Sequence, residues 1–118
     1  MPISVLVVEK DPLTRETLVY MLETLKYITV AVGSARMVYD ILDSVHFDAM
    51  VVSLNLSDPD GVGIAMDAKA YQRSIKVVVV SGRYRPDSLH SLVDGYVEKP
   101  FTLKQIDDAI KGVLQIED

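Results

Sequence analysis

The side chains able to do chemistry in this chain lie in four short stretches, each closing an apolar run: "VVEKDP", "MVVSLNLSDPDG", "VVVVSG" and "YVEKPF". They supply Glu9 and Lys10, Ser53, Ser81 with Gly82, and Lys99. A single serine hydroxyl such as Ser53 can hold a hydrogen bond at a strand tip or carry a phosphate ester. Such an ester would be stable and would need a dedicated kinase, so an inert, hydrogen-bonded Ser53 is expected. Glu9 faces two ammonium groups, which makes the local formal balance positive. That balance favours ion pairs from Glu9 to Lys10 and Lys99, or a small anion held between the two lysines, over capture of a cation.

The other candidates are weaker. His46 and His90 have no His, Asp or Glu at ligand spacing and are expected at the surface. "RYR", Arg83–Arg85, is too short a basic cluster in a net-acidic chain to form a nucleic-acid face, and reads as a solvated loop. The chain has 118 residues, is 49% hydrophobic and 25% charged, with a net charge of -5 and no cysteine. One core and one domain, 1–118, are expected. Disulfides, thiolate nucleophiles and cysteine-based metal sites are excluded. No apolar run approaches the roughly 18 residues of a membrane span, and no basic-then-apolar leader opens the chain, so a cytoplasmic protein is expected.

The elements that must position these residues are legible as runs and periods. "ISVLVV" (Ile3–Val8), "ITVAV" (Ile28–Val32), "AMVVSL" (Ala49–Leu54), "KVVVVS" (Lys76–Ser81) and "YVEK" read as strands, apolar throughout rather than alternating. Between them the spacing predicts five helices. The first opens at Pro12 and carries Leu18, Leu22 and Leu25. Ser34 caps the second, with Met37, Val38, Ile41, Leu42 and Val45 as its stripe. The third runs from Gly61, with Ile64, Ala65, Ala68 and Tyr71 on one side. The fourth, near Pro86, has room for only about two turns. The last has a capping box at Thr102 and Gln105, with Leu103, Ile106, Ile110, Val113 and Leu114 on its apolar face. Strand–helix alternation of this kind makes a doubly wound parallel sheet between two helical layers, with every strand's C-terminal end on one edge. The candidate residues all fall on that edge.

The element order and the four motifs, over essentially the whole chain, resemble the receiver domain of bacterial two-component response regulators. The resemblance implies an α/β, flavodoxin-like topology with a five-stranded parallel sheet and five helices, the fourth shortened by about one turn. It also implies a site in which an acidic pair and an aspartate hold Mg²⁺ and the aspartate accepts a phosphoryl group from a histidine kinase. Hard Mg²⁺ needs carboxylate oxygens, and the metal with a lysine neutralises charge on the transferring group. Here the acidic pair falls on Glu9 and Lys10 and the phosphoacceptor on Ser53. The switching hydroxyl falls on Ser81, the rotating aromatic on Tyr96 and the lysine on Lys99, while Asn55 stands where the family offers a carbonyl to the metal. Asp11 matches an accessory position and is not expected to replace the lost ligand.

The expectation is therefore a pseudo-receiver: no enzyme, no Mg²⁺ and no other cofactor, acting through protein partners such as a histidine kinase or an output domain, or as a homodimer through the 81–116 face. Without a phosphoryl group, Ser81 is expected to cap a backbone group. No nucleic acid or membrane contact is expected. Two alternatives stand beside it: a phosphoryl-accepting switch using a non-standard residue, and an anion-binding module at the strand tips. A flavodoxin-type cofactor role is disfavoured, because no Gly- or Ser/Thr-rich phosphate loop follows the first strand.

Overall fold

The computed structural model describes residues 2–54, 61–82 and 93–116. Apolar runs become strands and the periodic segments between them become helices, in the order β1 (Ser4–Val8), α1 (Pro12–Thr24), β2 (Ile28–Val32), α2 (Ala35–Leu42), β3 (Ala49–Leu54), α3 (Gly61–Tyr71), β4 (Lys76–Ser81), β5 (Gly95–Glu98) and α4 (Leu103–Leu114). All strands pair in parallel in the order β2-β1-β3-β4-β5. The described residues thus carry four helices rather than the expected five. The short helix expected near Pro86 falls outside them, as do Asn55, "RYR" and His90.

Both faces of the sheet are covered, which is why its strands are apolar without alternation. Leu6, Val8, Met50, Val52, Val77 and Val79 pack on one side with Val38 and Leu42 of α2 and Ile64, Ala65 and Ala68 of α3. Val5, Val7, Val51, Val78, Val80 and Val97 pack on the other with Leu18 and Leu22 of α1 and Ile106 and Ile110 of α4.

Caps close the N-termini of α1, α2 and α4, those at Ser34 and Thr102 as expected and one at Asp11 that the sequence reading did not name. Asp11 accepts from Thr14 N–H at the start of α1, and Ser34 accepts from Met37 N–H at the start of α2. Thr102 and Gln105 form the reciprocal capping box of α4. Three stripe residues depart from expectation, because Met37, Val45 and Tyr71 are exposed. Val45 lies beyond α2, whose last residue is Leu42, so helical periodicity no longer carries it to the sheet. Tyr71 instead stacks on Tyr39 of α2, with ring centroids 6.0 Å apart. Leu103, in the first turn of α4, is also partly exposed, at 36%. Among the described residues no helix is long and apolar enough to cross a membrane.

Candidate functional site

The chain leaves β1 and β3 at the point where strand order reverses, the crevice in which open α/β sheets bind ligands. Register fixes who meets there. Val8 lies opposite Val52, so the next residues, Glu9 and Ser53, emerge side by side. Ser81 lies opposite Glu98, which places Lys99 just beyond the end of β5.

Glu9 is the centre of the cluster. It is only 3% exposed, as is Ser53. A buried carboxylate must be compensated and hydrogen-bonded. Ser53 Oγ donates to Glu9 Oε1 at 3.2 Å, the Lys10 backbone N–H donates to Oε2 at 2.9 Å, and Lys99 Nζ stands 3.9 Å from Oε1. Lys99 is itself held by its backbone N–H, which donates to the Ser81 carbonyl at 2.7 Å.

Two expected pairings are corrected. Lys10 serves Glu9 through its backbone and not its ammonium, because its side chain is exposed and forms no ion pair among the described residues. A side chain adjacent in sequence at a strand end points away from its neighbour's, whereas Lys99 arrives from a different strand. Among the described residues Lys10 and Lys99 line different cavities. Lys10 lines a pocket of about 180 Å³ with Gly33, Ser34, Ser53 and Ile64. Lys99 lines a groove of about 600 Å³ with Leu13, Thr17, Met21, Pro100 and Phe101.

Of the remaining expected residues, Ser81 contributes its carbonyl to Lys99, and no capping bond from its hydroxyl is found among the described residues. Tyr96 packs against the α2–α3 side of the core, with its phenolic oxygen buried and without a partner among the described residues. His46 is exposed. Asp11 directs its carboxylate to Thr14, accepting from Oγ1 at 2.7 Å and N–H at 2.9 Å. Those bonds, the hydroxyl first, hold its pKa below the ordinary 3.8. Among the described residues no three His, Asp or Glu side chains converge as metal ligands.

Arg15 is a site residue that the sequence reading missed. Its Nη1 donates to the Glu9 carbonyl at 2.9 Å and reaches the Lys10 carbonyl at 3.4 Å, clamping the β1–α1 connection. A Cβ on Gly33 would lie 2.6 Å from that nitrogen, so Gly33 leaves the space the guanidinium fills. The available signal was its place as the fourth residue of α1, since helical side chains lean toward the N-terminus and reach the preceding loop.

The family model for the response regulator receiver domain matches residues 5–111. The chain is 28% identical over 116 residues to the transcriptional regulatory protein BasR of Escherichia coli, covering 95% of this chain and 52% of that protein. It is 28% identical over 120 residues to the sensor protein TorS of the same organism, covering 98% of this chain and 13% of that one. The chain thus spans about half the length, or less, of these curated relatives. Among solved structures, a CheY-like receiver domain from Methylobacillus flagellatus superposes with a TM-score of 0.86 at 25% identity, covering 96% of this chain and 99% of that one.

Proposed function

The chain belongs to the response regulator receiver domain family, and from that premise we propose that it is a receiver-like signalling module working without phosphorylation of an aspartate. Ser53 stands at the position matching the family's phosphoacceptor, and an alcohol there gives an ester in place of a labile acyl phosphate. The observation that carries this reading is the closed cluster around Glu9. Its carboxylate is already satisfied by Ser53, by the Lys10 N–H and by Lys99.

The same cluster argues against Mg²⁺. A hard cation with near-octahedral demand needs several free carboxylate oxygens. Glu9 has both oxygens engaged, Ser53 is neutral, and Asp11 is committed to capping α1. An ammonium does for Glu9 what a metal would otherwise do, and the residues present do not suit the ion. No step of the proposed mechanism passes through one.

In this reading the domain presents one persistent shape to its partners. Those are protein partners, a histidine kinase or an attached output domain among them, or a second copy meeting it through the 81–116 face; nucleic acid is not bound by this domain. Signalling state is set by the partner and not by a covalent group.

The test is direct. The purified chain is incubated with Mg²⁺ and a small acyl phosphate and then weighed intact. No phosphoryl adduct is expected. An adduct, acid-stable or acid-labile, overturns the reading in favour of a phosphoryl-accepting switch at a non-standard residue.

A further inference from the structure

We propose that the free edge of β2 docks an extended segment of a partner protein, a short apolar run bracketed by lysine or arginine, which adds to the sheet as a further strand. β2 ends the sheet and pairs with β1 alone. Ile28 N–H donates to the Ile3 carbonyl, and the Val32 carbonyl accepts from Glu9 N–H. In a parallel ladder those two bonds fix the phase: Ile28, Val30 and Val32 bond to β1, and Thr29 and Ala31 direct both backbone groups away from it. Edge strands are ordinarily blunted by a charge, a proline or a bulge. β5, at the opposite edge, is short and ends on the exposed Glu98. β2 reads Ile-Thr-Val-Ala-Val in unbroken register and has none of these devices.

Exposed apolar side chains flank this edge on its α2 side. Ile28, Val30 and Val32 share that face of the strand, and Val30 packs with Ile41 of α2 against the same core cluster. Tyr39 turns the other way, toward α3, stacking on Tyr71 and donating to Asp67. Met37 and Ile41 stand two residues to either side of Tyr39, about 200° round the helix, and so turn from α3 toward the β2 end of the sheet. Ile28 and Met37 are each half exposed. A strand added to β2 would cover both.

The α1 side selects the charge of the partner. A groove of about 250 Å³ between α1 and β2 is lined by Arg15, Glu16, Val19, Tyr20, Glu23 and Ala31. Glu16 and Glu23 form no ion pair among the described residues, whereas Arg15 gives Nη1 to the Glu9 and Lys10 carbonyls. Seven residues separate the two carboxylates, or about 10 Å along the helix. Side chains at i and i+4 of a strand share a face about 13 Å apart, so flexible basic residues there reach both, with an apolar residue between them over Val19 and Ala31. A second copy fits less well. Pairing two β2 edges would bring Glu16 and Glu23 of one copy toward those of the other, in chains that each carry a net charge of -5. Like charges across an interface oppose association.

The probe is the capped peptide Lys-Val-Val-Val-Lys, titrated into the ¹⁵N-labelled chain with Glu-Val-Val-Val-Glu in parallel. Saturable shifts across β2 are expected with the basic peptide only. They are expected to come with slowed hydrogen exchange at the Thr29 and Ala31 amides, which side-chain contact alone would not produce. The Glu16→Gln/Glu23→Gln variant, changed at two exposed positions, is expected to bind about tenfold more weakly. Absence of saturable shifts, shifts without that protection, equal binding of the acidic peptide, or an unchanged affinity in the variant overturns the proposal. Protection of Thr29 and Ala31 that grows with protein concentration in the absence of peptide also overturns it, in favour of a second copy as the occupant.

Discussion

Glu9 carries most of the site's energetic risk, because a buried carboxylate that loses a partner keeps its desolvation cost. Lys99→Met leaves the Glu9 carboxylate with two neutral donors and no cation paired to it. Lys99 is 28% exposed and 3.9 Å away, so water already screens part of the attraction. The expected loss is about 1–2 kcal/mol, below the full cost of breaking a buried pair, and urea denaturation at neutral pH measures it. An unchanged midpoint would mean that Lys99 does not hold the cluster together. Asp11 gives the site its acid sensitivity. Its folded pKa lies below the ordinary 3.8, so its carboxylate stabilises the fold fully above that value and ceases to as pH falls through the lower folded pKa. Asp11→Asn keeps an N-cap acceptor but cannot titrate, and its stability profile is expected to be flatter than wild type on the acid side of pH 4 or so. Matching profiles would sink the assignment.

At the scale of elements, one close approach sets the seat of α4. A Cβ on Gly95, the first residue of β5, would lie 2.7 Å from Val113 Cγ1 and 3.4 Å from Val78 Cγ2. Both neighbours are short, stiff branched side chains, Val78 fully buried and Val113 partly buried against the same cluster. Gly95→Ala is expected to destabilise by about 1–3 kcal/mol through overpacking, read as a lower denaturation midpoint. Strand bounds and two of the caps were legible from sequence: β2, β3 and β4 coincide with their apolar runs, and Ser34 and Thr102 sit where capping chemistry puts them, whereas the Asp11 cap was not read. The outward turn of Met37, Val45 and Tyr71 was not legible. Helical periodicity gives an angle around an axis, and only the packing of α2 against α3 and the sheet decides how wide an arc is covered.

For the molecule as a whole, the consequence of the proposed charge arrangement is indifference to divalent cations. Mg²⁺ is expected to leave the thermal midpoint of the wild-type protein unchanged. In the Lys10→Asp/Ser53→Asp variant, carboxylates join Glu9 at the strand tips, and added Mg²⁺ should raise the midpoint by linkage. At a hundredfold excess over Kd that amounts to about 2.7 kcal/mol. A Mg²⁺-dependent rise in the wild type would contradict the account given for Glu9. Sequence by itself determined the sheet, its two-sided core and the edge on which Glu9, Ser53, Ser81 and Lys99 gather. Those follow from periodicity and residue chemistry, which are local. Tertiary structure alone decided which cation meets Glu9, that Arg15 clamps the loop beside it, and that Lys10 and Lys99 line separate cavities. Those depend on parallel register and side-chain reach between segments as much as 90 residues apart, from Glu9 to Lys99, and no local pattern encodes the direction in which an exposed side chain turns.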